Sequence, residues 1–233
     1  SIGPYGPFHM QPEFAFSNFK DWGKKHNRAF TACVEAAKGK NCVLDVGAHI
    51  GLVTMPISKV LSLTGQVIAF EPSAANSKAL KNHLVLNAIS NVRVVNYLVG
   101  DKNTSAATFY ESPEITGMNT CAPIKGGQNY RRQTHPQTTI DSFCKKHLLI
   151  PEIIKIDVEG FELSVLEGAA SVLQTAKPTI FLSVHPKHLR ALGRTSEELI
   201  KFLDRIDYLL TDISGGPVPA LQLDEYIVRP RTS

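Results

Sequence analysis

Short apolar runs rich in valine and isoleucine alternate along the chain with longer segments of helical periodicity. The runs lie at residues 41–46, 66–70, 92–97, 152–156 and 179–184, and the helical segments at 52–63, 73–88, 163–173 and 196–206. Strands that are apolar throughout are buried on both faces, which requires a mostly parallel sheet with helices on each side. The alternation therefore predicts an α/β fold with a doubly wound, Rossmann-like sheet. Two last short strands, at 208–211 and 225–228, are separated by Gly215-Gly216-Pro217, which predicts an antiparallel strand at one edge.

Two segments do not follow this alternation and suggest how the chain is divided. Residues 1–40 are predicted to form an N-terminal cap, aromatic and irregular to about residue 30, and residues 41–233 to form the main domain. Residues 101–150 predict a loop-rich excursion from that domain. Within it, residues 118–148 hold five lysines and arginines against one aspartate, a balance of +4 (5 − 1).

Composition narrows the class of protein. Hydrophobic residues make up 43% and charged residues 20%, as in ordinary globular proteins. No apolar run reaches the roughly 18 residues of a membrane span, and the N-terminus lacks the basic start and apolar stretch of a signal peptide. Four cysteines without CxxC spacing argue against a zinc ribbon or a disulfide framework and favour a cytoplasmic protein. A formal net charge of +4 is too small to indicate a nucleic-acid partner.

The strongest motif is VLDVGAHIG at residues 43–51, where a buried strand ends in a glycine turn before a helix. Gly47 and Gly51 would permit a tight turn and close approach of a ligand to the backbone, with a plain turn as the alternative. A dinucleotide-binding loop would need glycines at the positions of His49 and Leu52. Asp45, two positions before the first glycine, would repel a pyrophosphate but suits a ligand with an ammonium group. The loop therefore disfavours NAD.

The second strand ends in Phe70-Glu71, twenty positions past Gly51 (71 − 51). An acid at this place can accept hydrogen bonds from both ribose hydroxyls of a nucleoside, so we predict an adenosine-containing cofactor. Together with the loop, this favours S-adenosylmethionine (SAM). Asp101, just past the third strand, could accept the adenine amino group, or could be a simple turn residue. His49 and Pro72, beside these residues, complete the candidate cofactor contacts.

Polar groups also follow the fourth and fifth strands. Asp157 and Glu159 come at the end of the apolar run IIKI, and His185 follows the run TIFLSV. The carboxyl ends of parallel strands form the open edge where ligands bind, and carboxylates there are costly to desolvate without a partner. These three residues are the candidate catalytic groups. Glu162 has a simpler interpretation, a first-turn residue that the helix dipole favours.

In this order and spacing, the segments VLDVGAHIG, IAFEPS, VGD, TTIDSF, IIKIDVEGFELSVLEGA and SVHP resemble the FkbM-type SAM-dependent methyltransferases. The resemblance spans residues 41–208, and KIDVEGFE is its most specific part. It implies a class I methyltransferase sheet of seven strands with the last pair reversed, and methyl transfer to a hydroxyl, often on a sugar or a secondary metabolite. It places the cofactor on Asp45, Gly47, Gly51, Glu71 and Asp101.

One departure bears on metal binding. The family usually has an acid two positions before the fifth-strand histidine, where this chain has Ser183. A Mg²⁺ ion held by Asp157 and Glu159, with or without His185, is therefore disfavoured, and we predict no metal site. In the favoured alternative, His185 takes the proton of the acceptor hydroxyl and Asp157 orients the acceptor.

Other functions remain open at this point. A SAM-binding scaffold without catalysis would need none of the three polar groups at the strand ends. An RNA-directed methyltransferase is compatible with the basic segment 118–148, but aromatic residues are not interleaved with its basic ones. We therefore expect a small-molecule or carbohydrate acceptor, covered by that basic segment. The sequence does not indicate the oligomeric state.

Overall fold

The structure, a computed structural model, describes residues 1–24, 27–122 and 130–231. Its strands, in chain order, are β1 (Cys42–Val46), β2 (Gln66–Phe70), β3 (Val92–Val95), β4 (Leu98–Val99), β5 (Thr104–Glu111), β6 (Arg131–Thr138), β7 (Ile153–Ile156), β8 (Thr179–Val184), β9 (Tyr208–Thr211) and β10 (Asp224–Pro230). Its α-helices are α1 (Phe30–Ala36), α2 (Thr54–Val60), α3 (Ala74–Leu86), α4 (Ile140–His147), α5 (Glu162–Glu167), α6 (Ala170–Thr175), α7 (Pro186–Ala191) and α8 (Ser196–Arg205).

Seven strands form the main sheet in the order β3-β2-β1-β7-β8-β10-β9. All neighbours pair in parallel except β10, which runs antiparallel to β8 and β9. The predicted doubly wound, mostly parallel sheet with an antiparallel return is confirmed. The strand order reverses between β1 and β7, so a crevice opens above their carboxyl ends.

Alternate side chains of the central strands enter separate cores on the two faces of the sheet. Leu44 of β1 and Ile154 of β7 lie in one core, whereas Val43 and Ile153 lie in the other. Both cores include helix residues, which confirms that helices cover both faces. This double burial explains why β1 and β7 are apolar at nearly every position.

One helix prediction needs correction. The predicted helix 163–173 is two helices, α5 and α6, which are separated at Gly168 and Ala169. A Cβ on Gly168 would lie 2.0 Å from the carbonyl oxygen of Gly100, so the chain needs a glycine at this break. Helix α8 is capped by Thr195 through a capping box with Glu198. Pro56 lies in the first turn of α2, where its missing N–H costs no hydrogen bond.

The excursion 101–150 contains more regular structure than expected. Strand β6 pairs in parallel with β4 and antiparallel with β5, forming a second sheet of three strands, and α4 follows. The sequence of β6, RRQTHPQT, is polar and its side chains are mostly exposed, so it lacks the apolar pattern of a buried strand. The part of the basic segment at 123–129 lies outside the described residues.

The N-terminal residues pack on one face of the main sheet. Ile2 is buried there, and Phe14 and Trp22 are half-buried against the same core. Trp22 directly follows the short 3₁₀ helix Phe19–Asp21. Among the helices of the described residues, none is long and apolar enough to cross a membrane.

Candidate active site

A cavity of about 320 Å³ opens at the carboxyl ends of β1, β2 and β7, where the strand order reverses. Its wall includes Gly47, His49 and Glu71 on one side and Asp157 and Glu159 on the other. With Pro72, six of the ten sequence-predicted site residues therefore line one cavity. The other four, Asp45, Gly51, Asp101 and His185, do not.

The two glycines of the loop are required by the chain itself. Gly47 has φ +83°, and a Cβ there would lie 1.9 Å from the carbonyl oxygen of Asp157. Gly51 has φ +94°, and its Cβ would lie 2.5 Å from Leu80 Cδ1. Internal packing already excludes a side chain at each glycine, so the packing alone requires them. The prediction that they also let a ligand approach the backbone stays a prediction.

Glu71 is buried in the cavity wall and holds the glycine loop in place. One carboxylate oxygen accepts a hydrogen bond from the backbone N–H of His49 at 2.8 Å, and the other accepts from Ser73 N–H at 3.0 Å and Asn76 Nδ2 at 3.3 Å. Burial raises the pKa of Glu71 to about 7, against the lowering effect of these hydrogen bonds. The carboxylate retains unused lone pairs that can accept from a ligand.

The remaining wall fits an adenosine-containing ligand. Leu98, Val99 and Phe109 supply apolar surface. His49 Nε2 and Asn119 Nδ2 belong to wall residues and are buried with no hydrogen-bond partner among the described residues. Buried polar atoms are normally paired, so these two nitrogens are available to a polar ligand.

Asp45 lies behind the loop, fully buried. Its carboxylate accepts a hydrogen bond from Thr54 Oγ1 at 2.5 Å and lies 3.3 Å from the ammonium group of Lys155. The same ammonium donates to the carbonyl oxygen of Gly47 at 2.8 Å and lies 3.8 Å from Asp157. Asp45 therefore neutralises Lys155 and does not line the cavity, and its predicted contact with the ammonium group of a ligand stays a prediction.

Lys155 was missed by the sequence reasoning, although a lysine within an otherwise apolar strand was a signal. Burial alone would lower its pKa, but the charges of Asp45 and Asp157 outweigh burial and raise it. Lys155 is thus a buried cation that joins the ends of β1 and β7. Asp101, in contrast, is exposed and outside the cavity wall, so the structure gives no support to its predicted contact with adenine.

Asp157, Glu159 and His185 come together as the sequence predicts. His185 Nε2 lies 3.4 Å from Glu159 Oε1 and 3.9 Å from Asp157 Oδ1. His188, which sequence reasoning missed, stacks on His185 with ring centroids 5.9 Å apart. Its Nδ1 lies 3.1 Å from the other oxygen of Glu159. The Glu159 carboxylate is therefore held between two imidazoles and faces the cavity.

The backbone at Glu159 is also constrained. Its φ is +50°, a left-handed conformation that is strained for a residue with a side chain and is often found at functional sites. Thr120 Oγ1 donates a hydrogen bond to its carbonyl oxygen at 2.6 Å. This contact joins the segment that follows β7 to residues 112–122, which we call the strap.

The strap crosses from one side of the cavity to the other. Asn76 anchors one end, since its amide donates to the carbonyl oxygen of Thr116 at 2.9 Å and accepts from Thr116 N–H at 3.2 Å. Thr120 anchors the other end at Glu159. Met118 and Asn119, between the two anchors, line the cavity. Thr116 and Gly117, which precede the basic segment 118–148, line the cavity as well. That the basic segment covers an acceptor stays a prediction.

The surroundings of Glu159 and His185 raise the pKa of each side chain. Burial raises the pKa of Glu159 to about 7, helped by Asp157 and Glu162 and opposed by His185. For His185, burial would lower the pKa, but a hydrogen bond to Glu162 and the surrounding carboxylates raise it to about 9. These shifts favour the protonated form of His185 and bring the pKa of Glu159 into the neutral range. They favour Glu159 over His185 as a proton acceptor, and the predicted role of His185 as the base stays a prediction.

The same three side chains could bind a cation. One ligand atom each from Asp157, Glu159 and His185 lies within 4.8 Å of the others. Ser183 does not add a carboxylate, but Glu225 on the neighbouring strand β10 lies opposite it in register, and Ser183 Oγ donates to Glu225 Oε1 at 3.4 Å.

Comparison with solved structures supports the fold. The FkbM methyltransferase of Methylobacillus flagellatus KT aligns with a TM-score of 0.52 and 21% identity over 82% of this chain and 44% of that protein. The present chain thus spans less than half of its length. The precorrin-6y C5,15-methyltransferase of Geobacter metallireducens GS-15 aligns with a TM-score of 0.52 and 12% identity, covering 97% and 94% of the two chains.

A protein of Streptococcus mutans in complex with SAH aligns with a TM-score of 0.50 and 10% identity, covering 87% of this chain and 94% of its own. No curated protein sequence matches the chain. The methyltransferase FkbM domain matches residues 45–215, which include both sides of the cavity and well over half of the sequence. The chain belongs to the FkbM family of SAM-dependent methyltransferases.

Proposed function

We propose that the protein transfers the methyl group of SAM to a hydroxyl oxygen of a small-molecule or carbohydrate acceptor. The observation that carries this proposal is the shared cavity, which has Glu71 on one side and the carboxylates of Asp157 and Glu159 on the other. The first side suits the ribose of a cofactor. The second offers a proton acceptor to a hydroxyl.

On the cofactor side, Glu71 would accept hydrogen bonds from the ribose hydroxyls, with His49 and Pro72 beside it. The apolar surface of Leu98, Val99 and Phe109 would contact the adenine. When bound, SAM supplies an electrophilic methyl group on a sulfonium centre. These residues would fix the position of the methyl group relative to Asp157 and Glu159. Such positioning can provide much of the rate acceleration.

On the acceptor side, Glu159 would accept the proton of the hydroxyl. Its pKa of about 7 is close to the value that favours a general base at neutral pH. Asp157 would accept a hydrogen bond from the acceptor and keep it in line. The imidazoles of His185 and His188, on the two oxygens of Glu159, would hold its carboxylate in a fixed orientation.

The proximity of three ligand atoms favours a second version of the mechanism. A divalent cation on Asp157, Glu159 and His185 would lower the pKa of the acceptor hydroxyl instead. Loss of turnover in EDTA, restored by Mg²⁺ and not by Ca²⁺ or K⁺, would support this version. Unchanged turnover in EDTA would support proton transfer to Glu159.

The proposed acceptor class is tested by transfer of a labelled methyl group from SAM to a panel of hydroxyl-bearing metabolites, sugars and an RNA oligonucleotide. The variants Asp157→Asn and Glu159→Gln should each reduce turnover at least about 100-fold, with nearly unchanged affinity for S-adenosylhomocysteine. Glu197→Gln, at an exposed position in α8, is the matched control. Labelling of RNA alone would establish the RNA-directed alternative, and cofactor binding without any transfer would favour the scaffold.

We also propose a cytoplasmic location. The four cysteines are free, which suits a reducing compartment.

A further inference from the structure

Glu162, the first residue of α5, has a fully buried carboxylate next to the catalytic groups. Its Oε1 accepts a hydrogen bond from the backbone N–H of Gly160 at 2.9 Å and lies 2.7 Å from His185 Nδ1. Its Oε2 is buried without a partner among the described residues. A dipole interaction at the start of a helix does not require this burial, because an exposed carboxylate gains the same benefit. A carboxylate so far from water needs a specific partner, and that partner is His185.

The hydrogen bond from His185 fixes the orientation of the imidazole. Because Nδ1 carries a proton and points at Glu162, Nε2 must point the opposite way, towards Glu159 and Asp157. The ring cannot rotate without breaking the short contact to a buried carboxylate. A carboxylate behind a functional imidazole sets its tautomer and its direction in the same way in other sites.

The backbone supports this arrangement. Gly160 has φ +102°, and a Cβ there would lie 2.3 Å from His188 Cβ. The absence of a side chain at Gly160 lets α7 pack directly against the turn that follows β7. That packing brings His185 within reach of Glu162, and it also stacks His188 on His185.

We propose that Glu162 is a positioning residue of this methyltransferase, acting through His185 on the Glu159 carboxylate. Glu162 is not part of the cavity wall, so it would touch neither cofactor nor acceptor. The proposal rests on the proposed function, in which Glu159 and Asp157 act on the acceptor.

The kinetic test compares Glu162→Ala and Glu162→Gln with the wild type. In Glu162→Ala, the Nδ1 of His185 loses the partner that the described residues give it, so kcat should fall about 10- to 100-fold. KM for the acceptor and affinity for S-adenosylhomocysteine should stay within about twofold. Glu162→Gln should recover most of the lost kcat, because its amide oxygen can still accept the Nδ1 proton. Glu167→Gln, which alters the last turn of the same helix at its ion pair with Arg194, is the matched control.

A second measurement needs no variant and no acceptor. In the proton NMR spectrum of the wild type, the His185 Nδ1 proton should give a slowly exchanging downfield signal, which disappears in His185→Asn. Its absence from the wild type would overturn the proposal, as would a wild-type kcat in folded Glu162→Ala. Equal losses of kcat and of S-adenosylhomocysteine affinity would also overturn it, since they indicate a general structural role. If no acceptor is turned over by the wild type, the proposed function fails and the NMR signal alone decides the role of Glu162.

Discussion

The ammonium group of Lys155 lies between the ends of β1 and β7, and the side chain is only 10% exposed. It neutralises Asp45, which is fully buried, and donates to the loop carbonyl of Gly47. Removing one partner of a buried ion pair leaves the other as an unpaired buried charge, which is more costly than the loss of a surface contact. The fold around the glycine loop therefore depends on this pair.

We predict that Lys155→Met destabilises the protein by about 3–5 kcal/mol, because Asp45 keeps its charge and loses its partner. Chemical denaturation measures the change, and Lys40→Met serves as a control because Lys40 makes an exposed ion pair with Glu152. The double variant Lys155→Met with Asp45→Asn should recover part of the loss. A change below about 1 kcal/mol in the single variant would show that Asp45 is not held by Lys155.

At the scale of residues, the sequence predicted which side chains lie close together better than it predicted what each of them contacts. Asp157, Glu159 and His185 meet because the carboxyl ends of neighbouring parallel strands share one edge, which follows from chain order alone. Position in the sequence does not say which way a side chain points. Asp45, expected at the ligand, instead contacts Thr54. Glu162, which we assign to the helix dipole from the sequence, instead contacts His185.

Among the elements, the loop after β1 is closely packed against both neighbouring strands. Gly47 and Ala48 donate to the carbonyl oxygen of Phe70, and Gly47 also passes against the backbone of Asp157. The loop therefore ties β1 to β2 on one side and to the end of β7 on the other. A side chain at Gly47 would have to move a backbone carbonyl.

We predict that Gly47→Ala destabilises the protein by about 2–4 kcal/mol, through overpacking and a left-handed backbone. Gly39→Ala is the matched control, because Gly39 also has a positive φ, +69°, but no atom lies within 4 Å of an added Cβ. That control should cost only about 1–2 kcal/mol of backbone strain. Thermal and chemical unfolding compare the two. Equal losses in both variants would mean that strain, and not contact with Asp157, requires the glycine.

The strap is the element through which cofactor and acceptor sides can influence each other. Its anchors are two hydrogen bonds between Asn76 and Thr116 and one from Thr120 to Glu159. Thr120 is also paired with Tyr110 through two backbone hydrogen bonds. A hydrogen bond of this kind contributes about 0.5–1.5 kcal/mol, so loss of one should increase local opening of the strap.

We predict that Thr120→Val increases amide hydrogen exchange of residues 112–122 roughly 3- to 10-fold, because the hydroxyl that holds Glu159 is lost. Thr134→Val, at an exposed position in β6, should leave the strap unchanged. Exchange followed by mass spectrometry gives the comparison. Equal exchange in Thr120→Val and wild type would mean that the contact to Glu159 does not hold the strap.

At the scale of elements, the apolar strands and the helices between them could be predicted, since their burial fixes their pattern. Strands β2, β8 and β9 lie at their predicted positions. Strands β5 and β6 could not be predicted in the same way, because one face of their small sheet is exposed and their polar residues resemble a loop. The break between α5 and α6 depends on a distant backbone, that of Gly100, which no local pattern records.

Several buried ionisable groups at the carboxyl edge of the sheet have shifted pKa values. Burial raises the pKa values of Glu71, Glu159 and Glu225 to about 7, and in Glu225 the charge of Asp157 adds to the effect. His185 has a pKa raised to about 9. A group whose folded pKa is raised stabilises the fold below its unfolded pKa and loses that contribution as pH rises through the folded value. His49 works in the opposite direction, but burial lowers its pKa to about 4, so its effect is complete by pH 6.5.

We predict that the protein without ligand becomes less stable between pH 6.5 and pH 9, by an amount on the order of 2 kcal/mol, or roughly 4–8 °C in Tm. Between these values the three acids finish losing protons and His185 loses its own, and both changes favour the unfolded state. Calorimetric scans across this range test the prediction. In His185→Asn the decline should be smaller and should end near pH 7. A Tm that rises from pH 6.5 to pH 9 would contradict this account of the buried charges.

For the whole molecule, we expect SAM to bind in the cavity with its ribose on Glu71. Isothermal titration of the wild type and Glu71→Ala with S-adenosylhomocysteine and with NAD tests this, with Glu197→Gln as the control. We predict one site for S-adenosylhomocysteine, weakened by about 1–3 kcal/mol in Glu71→Ala and unchanged in the control, and no binding of NAD. Binding of NAD in preference to S-adenosylhomocysteine, or an unchanged affinity in folded Glu71→Ala, would contradict it.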